Sequence, residues 1–248
     1  MIYIVGIGPG KTDGMTIEAR AALEASDVIV GYGVYIDLVR ESFPNKEFAQ
    51  TSMGKEIERC KLCFDFALQG KTVSMICSGD AGVYGMAEPI LSLQNENSVW
   101  QGVEISIIPG VTAATSGAAE LGAPLNHDFC VISLSDLLTP WEIIERRLQA
   151  AITGDFAIAI YNPSSHKRAD YLKKACEIML KAGASPERAC GYVQNIGRSG
   201  TKTCTCMLCE LQNARVDMFT TVFIGNSQSQ ILKTPAGTKL ITKRGYKI

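Results

Sequence analysis

The sequence predicts an α/β fold in which short β-strands and helices alternate along the chain. Runs of β-branched residues recur between segments whose apolar residues have helical spacing, and this alternation is typical of a largely parallel sheet. Glycine-rich turns follow three of these runs in the first half of the chain, at 8–10, 78–85 and 109–117. The 248 residues, 46% of them hydrophobic, are enough to bury one large core or two smaller ones.

Each predicted strand is a short apolar run bounded by turns or polar residues. In chain order the predicted strands are Ile2–Ile7, Val28–Val30, Val73–Ile76, Val103–Ile108, Cys130–Ser133, Phe156–Tyr161, Ala189–Gln194 and Thr220–Ile224. Helix signals lie between them. The run Thr139-Pro140-Trp141-Glu142 has the pattern of a capping box with proline at the first helical position. Ser165 is a candidate cap for a further helix that extends through Met179.

The pattern breaks near Gly122-Ala123-Pro124, where a helix ends and the strands restart. We therefore predict a first α/β domain at 1–124 and a second at 125–248, each built on a mostly parallel or mixed sheet flanked by helices. No low-complexity linker separates the two halves. A tight interface is expected between them, with the ligand site in the cleft between the domains.

The charge and hydropathy patterns argue against a nucleic-acid or membrane partner. The 24 basic and 25 acidic residues give a formal charge of −1, without the excess of positive charge that nucleic-acid binders usually carry. No apolar run is long enough for a membrane span, and the first residues lack the basic start of a secretory signal. Nine cysteines in such a chain indicate reduced thiols. We expect a cytoplasmic protein.

Two cysteine groups need separate interpretations. Cys60 and Cys63 form C-x-x-C within a predicted helix and are expected to pack in the core. Cys204, Cys206 and Cys209 have a C-x-C-x-x-C spacing that also occurs in metal sites, but no fourth ligand is nearby. Because threonines alternate with lysine and cysteine through this segment, a strand with one face inward is the simpler interpretation, and we predict no metal site.

The run Gly6-Ile7-Gly8-Pro9-Gly10 follows the first strand, as a dinucleotide-binding loop would. The comparison fails, because Lys11 stands where the third glycine should be. The second strand also ends in Gly31 and Tyr32 rather than in the acidic residue that such a fold requires. A tight turn at a strand end is the alternative.

Two further loops have compositions that allow a backbone to approach a ligand closely. In Ser78-Gly79-Asp80-Ala81-Gly82-Val83-Tyr84-Gly85, glycines flank an aspartate that packing does not explain. The run Ile108-Pro109-Gly110-Val111-Thr112-Ala113-Ala114 leads from a strand into a helix of small residues. Small side chains there leave space for a flat group, and they also permit tight helix packing.

Taken in this order, the loops resemble those of the tetrapyrrole (corrin/porphyrin) methylase family. The resemblance rests on G-x-G-P-G, S-G-D-x-x-x-Y-G and I-P-G-V-T-A. It continues through the runs Tyr161–Ser165 and Thr220–Asn226, so it covers essentially the whole chain. Within the family, the runs Gly122–Phe129 and Leu134–Trp141 are most similar to methyltransferases that act on carbon 17 of precorrin-3 or cobalt-precorrin-3.

The resemblance implies a two-domain tetrapyrrole methylase fold that binds S-adenosyl-L-methionine between its domains, usually as a homodimer. It also implies a role in cobalamin biosynthesis, in which carbon 17 of a cobalt-bearing or metal-free substrate is methylated and the ring contracts. On matching positions, the implied cofactor-binding residues are Pro9, Gly79, Asp80, Val83, Tyr84, Thr112, Ala113, Asn162 and Thr221.

Methyl transfer needs alignment and a dry site, whereas ring contraction needs protons to be moved. Asp136 is the first candidate for polarising the substrate or handling a proton, and His127 is the second, because they flank the predicted strand after the domain boundary. The structural alternatives are that Asp136 ends a strand and that His127 is an interface residue. His166, the other histidine, is expected to face solvent beside a helix cap.

A tetrapyrrole of this class carries many carboxylates, so arginine partners are expected in its pocket. The candidates are Arg146, Arg147, Arg168 and Arg198. Two other functions stay open at this point: methylation of a different precorrin, and a non-catalytic module that binds S-adenosylmethionine or a tetrapyrrole. The second would bind its ligand without turnover.

Overall fold

The computed structural model describes residues 1–165 and 167–247. The expectation for His166 therefore lies outside the described residues. The chain forms two compact units, Met1–Ala113 (unit 1) and Ala114–Ile248 (unit 2). Strands and helices alternate in both units, which confirms the predicted α/β fold. Within the described residues, every helix is too short or too polar to span a membrane.

Unit 1 is built on one sheet of parallel strands. Its strands are β1 (Ile2–Gly6), β2 (Val28–Tyr32), β3 (Glu47–Thr51), β4 (Val73–Cys77) and β5 (Ile105–Ile108). Its helices are α1 (Ile17–Ala25), α2 (Gly33–Val39), α3 (Glu56–Leu68) and α4 (Ala87–Glu96), with short 3-10 turns at Thr12–Gly14 and Arg40–Ser42. The strand order is β3-β2-β4-β1-β5.

Helices cover both faces of this sheet, as an all-parallel sheet requires. On one face, α1 and α2 pack with Val5 and Ile29. On the other face, α3 and α4 pack with Ile4 and Val30. Because both faces are covered, the central strands are continuous apolar runs, and every residue of β4 is buried.

Unit 2 contains a larger sheet, a smaller sheet and four helices. Its helices are α5 (Ala113–Leu121), which begins at the last residue of unit 1, α6 (Trp141–Thr153), α7 (Tyr171–Lys181) and α8 (Leu208–Leu211). Its strands are β6 (Gly122–Ala123), β7 (Phe129–Ser133), β8 (Ala157–Tyr161), β9 (Ala189–Gln194), β10 (Lys202–Met207), β11 (Thr220–Ile224), β12 (Ser229–Thr234) and β13 (Gly237–Thr242). The smaller sheet has the order β12-β13-β6.

The larger sheet of unit 2 is mixed, with strand order β10-β9-β11-β8-β7. β7 and β8 run parallel, and the other neighbours pair antiparallel. Helices α6, α7 and α8 bury one face through Ile144, Cys176 and Leu208. Helix α5 covers the other face, where a Cβ atom at Gly117 would lie 2.9 Å from the ring of Phe223. The helix approaches this closely because residue 117 has no side chain.

Every predicted strand is present, within two residues of its predicted bounds. The segment with alternating threonines and cysteines is β10, which confirms the strand interpretation. Both predicted helix caps are wrong. α6 begins after Pro140, which occupies the N-cap position and makes no side-chain cap. α7 begins only at Tyr171, because Ser165 and Arg168 close a turn on each other through their backbones.

A hydrogen-bonded network around Asp155 joins the turn before β8 to the end of β11 in unit 2. Its carboxylate accepts from the Arg188 guanidinium at 3.0 Å, the Ser227 amide at 2.9 Å and the Ser227 hydroxyl at 2.5 Å. Burial alone would raise the pKa of Asp155, but the two Ser227 donors and Arg188 outweigh it and lower the pKa below the ordinary 3.8. The ionised form therefore stabilises the folded state more than the protonated form does.

We expect Asp155→Ala to lower the free energy of unfolding at neutral pH by about 1–3 kcal/mol, because it removes charge-assisted hydrogen bonds and leaves Arg188 without its carboxylate. Asp155→Asn is the matched control, since asparagine tolerates the φ of 53° at this position and keeps the shape while it removes the charge and one acceptor oxygen. Because the folded-state pKa is depressed, the advantage of the wild type over Asp155→Asn is full above about pH 4 and disappears as the pH falls further. Urea unfolding at several pH values measures it, and a pH-independent difference would contradict the described network.

Candidate active site

β1 and β4 are neighbours in the sheet of unit 1, and the chain leaves them in opposite directions. It runs from β1 to β2 and from β4 to β5, so each connection passes the end of the other strand. There the Gly8 amide donates to the Gly79 carbonyl oxygen at 3.0 Å, and the Gly79 amide donates to the Gly8 carbonyl oxygen at 2.8 Å. Ligands of open α/β sheets bind at this edge, outside the carboxyl ends of the strands.

The close approach of these loops requires glycine. Gly8 and Gly79 both have a φ of 72°, a backbone conformation that other residues rarely adopt. A Cβ atom at Gly110, in the loop after β5, would lie 2.1 Å from the Gly79 carbonyl oxygen. One at Gly6 would lie 2.7 Å from the Gly110 amide nitrogen. The loops after β1, β4 and β5 are thus in direct backbone contact.

Asp80 fixes two of these loops to each other. Its Oδ2 accepts a hydrogen bond from the Gly110 amide at 2.9 Å, and its Oδ1 accepts one from the Gly82 amide at 2.8 Å. Both carboxylate oxygens therefore serve the protein backbone. This is the packing role that the sequence does not reveal, and it shapes the loop that carries Val83 and Tyr84.

The structure brings the unit 1 members of the predicted cofactor set together on these three loops. Pro9 packs beside Gly14, where a Cβ atom would lie 3.1 Å from the proline ring. Tyr84 is 57% exposed with a φ of 53°, an unusual conformation for an aromatic residue. A Cβ atom at Gly79 would meet Thr112 and the Ala113 amide, each at 3.6 Å. At the positions of the glycines, the surface of these three loops is therefore formed by backbone atoms.

The two predicted cofactor residues of unit 2 lie on adjacent strands of the larger sheet. Asn162 follows β8, has a φ of 52° and donates from Nδ2 to the Ser133 hydroxyl at 2.9 Å. Beside it, the Tyr161 hydroxyl accepts a hydrogen bond from the Ala114 amide at 2.7 Å. This bond satisfies one of the free amides at the start of α5. Thr221 lies on β11, the neighbour of β8.

The hydroxyl of Thr221 has no hydrogen-bond partner within the part of the chain that the structure describes, although the residue is only 5% exposed. None of the fully enclosed side-chain oxygens and nitrogens of the described residues lacks a partner. The Thr221 hydroxyl oxygen must therefore retain some contact with solvent. A polar group in this state is available to a ligand, because buried hydroxyls in proteins are normally paired.

Asp136, the first predicted catalytic residue, is held in a cluster with Arg168 and Tyr171. Its Oδ2 accepts from the Tyr171 hydroxyl at 2.5 Å, and its Oδ1 lies 2.5 Å from the Arg168 Nε. The Tyr171 hydrogen bond lowers the pKa of Asp136, with the Arg168 guanidinium adding to this against the opposing effect of desolvation. Asp136 is therefore ionised with both oxygens engaged.

His127, the second predicted catalytic residue, does not converge with Asp136. It precedes β7, whereas Asp136 follows it, so the two residues lie at opposite ends of a strand roughly 16 Å long. The side chain of His127 is 43% exposed, and its Nδ1 accepts from the adjacent Asp128 amide at 2.8 Å. The contacts described for His127 are with the adjacent residue Asp128. A catalytic role for His127 stays a prediction.

The sequence did not identify the partners of the predicted residues. Tyr161, Tyr171 and the bond from Arg168 to Asp136 become visible only when separate loops are adjacent. No group of histidine, cysteine, aspartate and glutamate residues with the geometry of a metal site occurs among residues 1–165 and 167–247. Cys60 and Cys63 are buried in α3, as predicted.

We expect Gly110→Ala to destabilise unit 1 by about 3 kcal/mol, because the added Cβ atom would collide with backbone that has no room to move. Gly102→Ala is the matched control, since no atom lies within 4 Å of its added Cβ. Its stability should stay within about 0.5 kcal/mol of the wild type. Equal denaturant midpoints for the two variants would show that the loops do not meet as described.

The chain matches known proteins along most of its length. The model of the Tetrapyrrole (Corrin/Porphyrin) Methylases matches residues 1–212. A probable cobalt-factor III C(17)-methyltransferase of Salmonella typhimurium is 42% identical, over 99% of both chains. The precorrin-3B C(17)-methyltransferase of a Sinorhizobium species is 36% identical, over 99% of this chain and 96% of that protein. The crystal structure of the methyltransferase CobJ is similar with a TM-score of 0.90 and 34% identity, over 98% of this chain and 99% of that one. This protein belongs to the tetrapyrrole methylase family.

Proposed function

We propose that this protein transfers a methyl group from S-adenosylmethionine to carbon 17 of a tetrapyrrole at the cobalt-factor III or precorrin-3B stage of cobalamin biosynthesis, with contraction of the ring. The observation that carries the proposal is full-length likeness to two C(17)-methyltransferases, at 42% and 36% identity. One name gives cobalt-factor III as the substrate and the other gives precorrin-3B, and both give carbon 17 as the methylated position.

The residues of the candidate site fit an adenosyl ligand. The backbones of the three glycine loops of unit 1 meet at positions that have no side chain, which allows close approach of a ligand. In unit 2 the Thr221 hydroxyl is without a partner among the described residues and is able to donate or accept one hydrogen bond. We propose that Pro9, Gly79, Asp80, Val83, Tyr84, Thr112, Ala113, Asn162 and Thr221 hold S-adenosylmethionine.

Methyl transfer requires no nucleophilic side chain from the protein. When bound, S-adenosylmethionine supplies an electrophilic methyl group, and the ring carbon is the nucleophile. The loops align the two and exclude water, and orientation of this kind contributes up to about 7–11 kcal/mol in favourable cases. Burial raises the pKa of the Cys77 thiol, at the end of β4, to about 12. Because this thiol stays protonated, it does not compete as a methyl acceptor.

We include a cytoplasmic homodimer in the proposal. All nine cysteines are free thiols, which is typical of a reducing compartment. The dimer is proposed from the family resemblance, and light scattering on the purified protein tests it. A mass near the 26.8 kDa of one chain would contradict the dimer.

Thr221→Val tests the cofactor site without disturbing a protein hydrogen bond. Valine keeps the shape and removes the hydroxyl, so we expect unchanged thermal stability and about threefold to tenfold weaker binding of S-adenosylhomocysteine by calorimetry.

Thr220→Val provides the contrast, because the Thr220 hydroxyl donates to Asp217 at 2.8 Å and its loss should lower stability. If Thr221→Val lost stability and kept its affinity, Thr221 would not be a ligand contact.

The reaction itself is tested by anaerobic incubation with labelled S-adenosylmethionine and either cobalt-factor III or precorrin-3B. We expect one added methyl group, at carbon 17, and a contracted ring, read by mass and by methyl position. Binding of S-adenosylhomocysteine without methylation of either substrate would refute carbon 17 of these compounds as the target. Other precorrins would then be the substrates to assay.

A further inference from the structure

Arg168 is held in place by a carboxylate that uses only part of its guanidinium. Its Nε lies 2.5 Å from the Asp136 Oδ1, and its side chain is 18% exposed. Asp136 is itself fixed, because its other oxygen accepts the Tyr171 hydroxyl hydrogen bond. The guanidinium is therefore mostly buried and held from one side.

The outer edge of this guanidinium has no protein partner within the described ranges. Arginine has five N–H donors in a fixed fork, and Nε provides one of them. The terminal nitrogens of Arg168 make no hydrogen bond or ion pair with residues 1–165 or 167–247. Because none of the enclosed side-chain nitrogens of the described residues lacks a partner, these terminal nitrogens must be in contact with solvent. Two accessible N–H donors on a guanidinium that is already fixed at Nε form a preorganised receptor for a planar anion such as a carboxylate.

The surroundings of Arg168 match a ligand that is apolar as well as anionic. The loop between β7 and α6 presents Leu137 at 74% and Leu138 at 98% exposure, directly after Asp136. The rings of Trp141 and Tyr171 pack together, 4.6 Å apart, behind this loop. A flat apolar ring with carboxylate side chains has the chemistry that this combination of leucines and guanidinium recognises.

The position in the fold is also that of a ligand site. Asp136 lies in the loop after β7, and Arg168 lies in the segment after β8. These two strands run parallel, so both loops leave the same edge of the sheet. The two loops therefore lie together at the carboxyl ends of β7 and β8, which places Asp136 and Arg168 side by side.

We propose that Arg168 binds a peripheral carboxylate of the tetrapyrrole substrate, and that Asp136 is a positioning residue that holds the guanidinium in the orientation this requires. This inference rests on the proposed function and assigns its substrate contact. It gives Asp136 a role that fits an ionised carboxylate with both oxygens occupied. It also distinguishes Arg168 from Arg146 and Arg147, whose side chains are exposed on α6.

The role of Arg168 is tested by steady-state kinetics of variants in the methylation assay described above. We expect Arg168→Met to raise KM for the tetrapyrrole about tenfold to a hundredfold, since a hydrogen bond between charged groups is lost. The affinity for S-adenosylhomocysteine should not change, and the unfolding midpoint should fall only slightly, because a partly exposed ion pair contributes little to stability. Arg168→Lys should recover part of the loss, because lysine keeps the charge without the planar fork. Arg147→Met is the matched control and should leave KM unchanged.

Asp136→Asn separates positioning from proton transfer. If Asp136 orients Arg168, the variant raises KM and keeps the pH profile of kcat. If Asp136 is instead a general base, the variant lowers kcat steeply and the acidic limb of the pH profile of kcat disappears. That result would overturn the positioning role. The binding role of Arg168 would be overturned if Arg168→Met lowered the unfolding midpoint and the S-adenosylhomocysteine affinity in parallel with its rise in KM. Arg168 would then be a structural residue.

A binding measurement keeps the test independent of turnover. The chain has two tryptophans, and Trp100→Phe leaves Trp141, which lies beside Tyr171, as the fluorescent reporter. Titration of this variant with uroporphyrin III, a stable tetrapyrrole with carboxylate side chains, should quench the emission. Adding Arg168→Met should weaken that binding about tenfold, whereas adding Arg147→Met should not.

The outcomes distinguish the two proposals. In one case the wild type methylates neither carbon 17 substrate, but its binding of uroporphyrin III depends on Arg168. The proposed substrate is then wrong, and the carboxylate-binding role of Arg168 is supported. In the other case the wild type methylates carbon 17, but Arg168→Met and Arg147→Met have equal KM values for the tetrapyrrole. The carboxylate-binding role of Arg168 is then wrong, and the proposed function is supported.

Discussion

The pair of backbone hydrogen bonds between Gly8 and Gly79 is the constraint on which the candidate site depends. It exists because two adjacent parallel strands send their connections in opposite directions. Once these residues are paired, the loop after β4 is fixed, and Asp80 can reach the amide of Gly110 in the loop after β5. One contact between glycines thus fixes the backbone of three loops, and a side chain at Gly110 would collide with the Gly79 carbonyl oxygen and separate two of them.

The two units contribute different kinds of groups to the proposed chemistry. Unit 1 offers mainly backbone, which its glycines and the carboxylate of Asp80 hold in place. Unit 2 offers side chains, namely the Thr221 hydroxyl and the guanidinium of Arg168 held by Asp136. A backbone surface suits a cofactor that all members of a family share, and we propose that Thr221 adds one side-chain contact to it. The side chain of Arg168 instead suits a substrate that differs between members. Within this family, specificity is therefore expected to vary with the loops after β7 and β8.

The sequence predicted most of the fold, because the central strands are short, mostly apolar runs bounded by turns. It missed β3, whose sequence Glu47–Thr51 is half polar at the edge of its sheet, and the hairpin of β12 and β13. It also located the glycine loops by spacing. It could not predict that Asp80 binds backbone, or that Asp136 meets Arg168 and Tyr171, because these contacts join loops that are distant in sequence. Spacing along the chain carries no information on such pairs.

The position of β1 in its sheet has a consequence for how the chain is made. β1 lies between β4 and β5, so it pairs with two strands that are synthesised later, Val73–Cys77 on one side and Ile105–Ile108 on the other. Until those segments leave the ribosome, the apolar strand Ile2–Gly6 has neither neighbour in place and both of its edges are open. Open apolar edges associate with other chains. Incomplete chains that stop before β5 therefore keep one edge of β1 open and are more exposed to aggregation than the finished chain.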